Sequence, residues 1–237
     1  MKFLRVRLQA PAASLDAISE FYAKGLGIEQ LERSDELVAF GIGETRLELA
    51  PSDTQPFYHF ALLAPGNRFD AVLDWIGQCA ELLPDQETGN VVFDFSNWQA
   101  EACYLHDPAG NIVELIAHRG IAETGAEGSF SAQELLGFSE LGLVGDVAAM
   151  ARLLRRELGI ELWDGTVEGP GRLAFVGEKA RTLILSPTGR GWLPTGRPAE
   201  VHPVDAVLSG SPTGAALMEE SRYRIRRGAA SRPLDHS

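Results

Sequence analysis

Glu114 is the residue whose setting most demands a chemical explanation. It stands in the run Ile112-Val113-Glu114-Leu115-Ile116, whose apolar neighbours predict a buried strand. A carboxylate left alone in such surroundings is expensive, so Glu114 must meet a cation, either an arginine or a metal ion. His59 has a related setting. On a strand predicted over residues 57–63 it shares one face with Phe57 and Ala61, as Glu114 shares one with Ile112 and Ile116. An inward imidazole and an inward carboxylate are the raw material of a transition-metal site or of proton transfer. Each also has a plainer reading, as a hydrogen-bonded interior histidine and as an acid paired with an arginine. His106, beside the turn Asp107-Pro108-Ala109-Gly110-Asn111, suits either a turn cap or a proton shuttle. Trp98, in the connection before that turn, suits either a flap over a pocket or a surface-packed ring.

Strands and helices must place these groups. Residues 3–10 alternate, with Leu4, Val6, Leu8 and Ala10 on one face and Arg5, Arg7 and Gln9 on the other. A helix follows, with Ser14 as a candidate N-cap and a stop at Lys24-Gly25. Short strands are predicted at 37–41 and 45–49. The order then repeats: a strand over 57–63, a helix over 68–83, and strands over 91–95, 102–105 and 112–117. Residues 1–118 therefore hold two βαβββ units. Residues 119–135 are rich in Gly, Ala and Glu and read as a linker.

Beyond the linker the first unit returns. Leu26-Gly27-Ile28-Glu29 recurs as Leu158-Gly159-Ile160-Glu161, and the segment ending Leu49-Ala50-Pro51 recurs as Leu185-Ser186-Pro187. A fourth unit begins near 204–208, has no room for its helix, and keeps only a final strand near 223–226. The expected organisation is a complete module at 1–118, a linker at 119–135, a truncated second module at 136–228 and a tail at 229–237.

The segment Tyr104-Leu105-His106-Asp107-Pro108-Ala109-Gly110-Asn111-Ile112-Val113-Glu114-Leu115, set within βαβββ repeats, resembles the vicinal oxygen chelate superfamily. That superfamily includes glyoxalases, fosfomycin and bleomycin resistance proteins, and extradiol dioxygenases. The resemblance covers residues 3–118 well and 137–187 weakly. It implies an α+β fold of paired βαβββ units forming cupped mixed sheets around a small-molecule pocket. Carried over position by position, the family's ligand slots fall on Arg5, Glu48, His59 and Glu114. Arg5 to His59 is 54 residues and His59 to Glu114 is 55. The resemblance thus implies a divalent ion (Zn, Mn, Ni or Fe) on His59, Glu114 and Glu48. Glu48 and Glu114 would carry catalysis, with Arg5, Trp98 and His106 against the substrate. Arg5 departs from the pattern, since the family has His or Gln there. A guanidinium stays protonated and offers no lone pair, so the metal site reads as damaged. In the second module the slots hold Glu140 and Ile184, with Asp205 or its neighbour as the third and no counterpart for the fourth, and that module reads as having lost its metal.

Two functions are implied. One is a metal-assisted lyase, isomerase or dioxygenase acting on a substrate with adjacent oxygens. The other is a metal-free binding or sequestration protein in which Arg5 replaces the metal charge. Composition narrows the partners. A formal net charge of −12 argues against nucleic acid, which needs concentrated Lys and Arg. The one basic cluster, Arg222, Arg224, Arg226 and Arg227, reads as a solvated strand or tail. Two separated cysteines suggest no disulfide framework and a reducing compartment, and no apolar run nears 18 residues. A cytoplasmic monomer or homodimer with a small-molecule ligand and no membrane partner is expected. The sequence carries no Walker loop, dinucleotide fingerprint or nucleophile elbow.

Overall fold

The computed structural model describes residues 1–169 and 171–228; the predicted tail at 229–237 lies outside them. Alternation in the first segment becomes β1 (Phe3–Pro11), which buries Val6, Leu8 and Ala10 and turns Arg5, Arg7 and Gln9 to the opposite face. Next comes α1 (Leu15–Ser19), widening into a π turn over Glu20–Gly25 that buries Tyr22. Ser14 does not cap this helix; its hydroxyl donates to the Pro11 carbonyl at 2.7 Å. The first unit ends with β2 (Glu29–Arg33), β3 (Val38–Ile42) and β4 (Thr45–Ser52).

The second unit comprises β5 (His59–Ala64), α2 (Phe69–Cys79), β6 (Phe93–Phe95), β7 (Ala100–His106) and β8 (Ile112–His118). The third comprises β9 (Gly137–Val144), α3 (Val147–Leu158), β10 (Leu162–Gly165), β11 (Ala174–Glu178) and β12 (Arg181–Ser186). A small hairpin, β13 (Gly191–Trp192) and β14 (Arg197–Pro198), leads to the truncated fourth unit: β15 (Val204–Ser209), β16 (Gly214–Met218) and β17 (Tyr223–Gly228). The repeated Leu-Gly-Ile-Glu marks the ends of corresponding helices. Gly27 and Gly159 both take left-handed backbone, at φ of 71° and 61°, which stops the helix and returns Ile28 and Ile160 to the core.

Two curled sheets result. The first has the order β16-β17-β15-β1-β4-β3-β2, and the second β10-β11-β12-β9-β5-β8-β7-β6. In each, the opening strands of two units meet antiparallel at the centre, β1 on β15 and β5 on β9. Each opening strand also pairs in parallel with the closing strand of its own unit. Paired βαβββ units in cupped mixed sheets are therefore present, but the partners cross the expected module boundary. Unit one pairs with the truncated fourth unit and unit two with the third, so residues 1–118 close no cup of their own. Phe138 of the second sheet ties the sheets together, stacking on Phe60 with ring centroids 5.0 Å apart and lying 6.0 Å from Phe3 of the first.

The Asp107–Asn111 turn sets the register of the second sheet. Asp107 is buried, and its carboxylate accepts from the Ala109 and Asn111 amides, the Asn111 side chain and the Tyr22 hydroxyl. Asn111 in turn accepts from the Tyr58 amide at 2.9 Å, fastening the start of β8 beside the start of β5. His59 opposite Ile112 and Ala61 opposite Glu114 follow from that clasp.

At the other end of β8, His118 is fully buried. Burial, with Lys179 and Arg181 nearby, holds its imidazole neutral and pushes its pKa down to about 4. In the unfolded chain it takes up a proton near pH 6.5. The stability this neutral ring contributes is thus complete above pH 6.5 and is lost as pH falls from there toward 4, by roughly 3 kcal/mol at the limit. Urea titrations between pH 7 and pH 4.5 are expected to show His118→Asn losing less stability with acid than the parent; equal losses would contradict this.

Candidate metal centre

The second cup gathers its chemistry around a small residue. Ala61, on β5, is paired with Glu114 on one side and with Glu140 on the other. All three side chains point to the concave face, and the methyl of Ala61 leaves room for two carboxylates to lean across it. His59, two residues earlier on the same face, completes the group. Its Nε2 lies 3.4 Å from a Glu114 oxygen, and donor atoms of His59, Glu114 and Glu140 lie within 4.8 Å of one another. Ile184 on β12 occupies the fourth slot, related to Glu140 by the same strand register that relates Glu114 to His59.

Electrostatics separate this cup from its twin. His59, Glu114 and Glu140 are each at most 6% exposed. Burial drives the pKa of Glu114 well above the usual range, and the neighbouring Glu140 pushes it the same way. Burial also raises Glu140, whose partner is the Thr182 hydroxyl at 3.4 Å. Burial lowers His59 to about 4, so its ring is neutral and keeps a lone pair. Among the described residues no lysine or arginine pairs with either acid. Two buried acids with no ion-paired arginine or lysine, beside a neutral imidazole, form a donor set that fits a divalent ion.

In the first cup the same four slots hold Arg5, Glu48, Asp205 and Arg226, so the slot expected to have no counterpart is filled by Arg226 from the closing strand of the truncated unit. Arg5 bridges Asp205 and Glu48, Arg226 reaches Asp205 at 2.8 Å, and Arg46 holds Glu48 at 2.8 Å. That quartet is neutral by itself and leaves no charge for an ion to balance.

The expected grouping of Arg5, Glu48, His59 and Glu114 is thus divided between two sheets. His59 and Glu114 meet; Glu48 and Arg5 face each other elsewhere, so Glu48 cannot be the third ligand or the base of this site. Glu140 takes that position, from a unit expected to have lost its metal site. The available signal was its setting in Phe138-Ser139-Glu140-Leu141, an acid in an apolar strand like Glu114 itself. His106 ends β7 exposed, its Nδ1 3.2 Å from the Asn111 carbonyl, outside the residues lining the cavity.

A cavity of about 60 Å³ opens over the triad. Its walls are largely aromatic, and they include Trp98. Trp192 lies against His59 with ring centroids 5.0 Å apart, room made by Gly142, where a Cβ would come within 2.9 Å of the indole. Tyr104 on β7 is directly opposite Glu114 on β8, and both line the cavity. Trp98 packs edge-on to Phe175 at 4.6 Å and donates its indole N–H to Asp164, joining the second unit to the third across the cup. Phe95, Trp98 and Phe175 also border an outer hollow of about 510 Å³ and so divide it from the triad. Arg190 is the one cation in the cavity wall among the described residues. Two of its nitrogens donate to the Gly171 and Gly191 carbonyls.

Solved structures share this architecture. Glyoxalase I from Zea mays matches over 95% of this chain and 91% of its own, with a TM-score of 0.57 and 13% identity. A candidate dioxygenase from Bacillus subtilis matches over 96% of this chain and 85% of its own, with a TM-score of 0.54 and 14% identity. The chain has the vicinal oxygen chelate fold. At these identities the likeness concerns the fold alone. No protein-family model matches the sequence, and no curated relative does either. Within the vicinal oxygen chelate fold, then, this chain has one cup built around acids and an imidazole, and one closed by arginines. No helix among the described residues is long and apolar enough to cross a membrane.

Proposed function

We propose that this chain is a metal-dependent enzyme of the glyoxalase and dioxygenase type, acting in the second cup on a small substrate that bears two adjacent oxygens. The observation that carries this reading is the buried, uncompensated triad His59, Glu114 and Glu140 beneath an aromatic cavity. Those three residues would hold a divalent ion, which supplies Lewis-acid stabilisation of negative charge developing on the substrate oxygens. Ile184 provides no donor atom, so one side of the site is left for substrate.

The chain's own groups have separable tasks. The aromatic walls exclude water and strengthen every charge interaction inside. Arg190 faces the cavity without a carboxylate partner and anchors an anionic part of the substrate. Glu140, held only by the long Thr182 contact, is the carboxylate best placed to take a substrate proton on its side-chain oxygen. Lyase, isomerase and ring-cleaving chemistry all suit this arrangement. The binder reading built on Arg5 loses its basis, because Arg5 lies in the other cup.

Elemental analysis of the purified protein tests the proposal. About one equivalent of a divalent metal per chain is expected, removed by chelator and restored on reconstitution; protein that takes up none would overturn it. A gain-of-ligand variant gives a second check. Ile184→His adds an imidazole in the fourth slot and is expected to tighten Zn(II) binding by about tenfold or more while blocking substrate access. Unchanged affinity would count against Ile184 as the open position.

A further inference from the structure

We propose that the hollow on the first sheet is a binding site for a small polyanion, a ligand carrying two or more clustered phosphoryl or carboxylate charges. The site shares no residue with the metal centre and does not depend on that reading. Arginines of the first cup fall into two layers. The inner ones, Arg5, Arg46 and Arg226, are spent on Glu48, Glu32 and Asp205. The outer ones, Arg7, Arg222 and Arg224, are exposed and have no acidic partner among the described residues. Arg222 makes one long bond, 3.5 Å to the Val201 carbonyl.

These three outer arginines line one concavity of about 310 Å³. Asp205 is the one acid in its lining, and Arg5 and Arg226 already hold that carboxyl below the usual range. Strand pairing makes the crowding definite. Arg7 is opposite Asp205, and Asp205 is opposite Arg224, so the two guanidinium side chains leave one face only two strand spacings apart, roughly 10 Å. Asp205 stands between them and Glu48 flanks Arg7, but Arg5, Arg46 and Arg226 already hold both acids, so a bound anion would supply the negative charge that Arg7 and Arg224 lack. Such a concentration of cations stands out on a chain of net charge −12.

The rim adds an independent feature. Glu219, Glu220 and Ser221 are three consecutive non-glycine residues with left-handed backbone, at φ of 49°, 54° and 69°. That unfavourable turn delivers the Ser221 and Arg222 side chains to the hollow. Arginine forks match phosphoryl and carboxylate oxygens two at a time, and the volume accommodates a compact polyanion rather than a folded partner.

Calorimetric titration of the whole protein at low ionic strength, with inorganic pyrophosphate in one series and tricarballylate in another, tests this. Saturable one-to-one binding of at least one probe is expected, and the preferred probe distinguishes phosphoryl from carboxylate recognition. Arg7→Ala and Arg224→Ala are each expected to weaken binding by about tenfold, and Arg224→Glu to abolish it. These exposed substitutions leave the metal cup untouched, so a change in heat reports this hollow. An unchanged thermal midpoint would verify folding. Absence of saturable binding by both probes, or binding that the arginine variants leave unaltered, would overturn the proposal.

Discussion

Replacing Glu140 with Ala is expected to lower divalent-metal affinity by a factor on the order of 100 or more, while Glu48→Ala leaves it within a few-fold of the parent. Glu140 supplies one of three donors and one of the two negative charges that make an ion welcome in the second cup. Its loss also leaves His59 and Glu114 with too few ligands to enclose an ion. Glu48 belongs to a neutral cluster on the other sheet, tied to Arg46 and Arg5. His59→Ala should behave like Glu140→Ala. Competition titration against a chromogenic chelator measures all three. The reverse ranking, with Glu48 mattering and Glu140 not, would move the metal to the first cup and overturn the assignment.

A second large effect is expected at Asp107. Asp107→Ala removes a buried acceptor from two backbone amides, the Asn111 side chain and the Tyr22 hydroxyl, and leaves them unsatisfied. The cost should be about 4 kcal/mol, which for a chain of this length lowers the melting midpoint by roughly 10 °C. Because the same turn sets β8 against β5, metal affinity should fall too, although Asp107 touches no ligand. Asp107→Asn keeps an acceptor oxygen and should recover part of both losses. A variant as stable as the parent would show that the clasp is dispensable.

Much of this fold could be read from local pattern. Alternation placed His59 with Phe57 and Ala61, and Glu114 with Ile112 and Ile116, on faces that the structure turns inward to one cup. The helix-ending glycines gave away the repeat. What escaped was either short, polar or non-local. Every residue of β2, Glu29–Arg33, is exposed, so no face shows alternation. β16, Gly214–Met218, is a small-residue edge strand whose partner lies past a turn. Most consequentially, the pairing of units is carried by backbone hydrogen bonds between opening strands, and each such strand offers an equally generic edge. Charge held the missing clue. Arg5, Glu48, Asp205 and Arg226 balance one another as a quartet, whereas Arg5, Glu48, His59 and Glu114 leave the remaining acids stranded.

One metal ion is expected between units two and three, bounded by His59, Glu114 and Glu140. Anomalous diffraction at the cobalt edge, from crystals of the protein loaded with Co(II), tests it most directly. A single strong peak should lie over Ala61, bounded by His59 Nε2 and the two glutamates. A peak beside Glu48 and Asp205 on the first sheet, or an empty triad at saturating Co(II), would contradict the account.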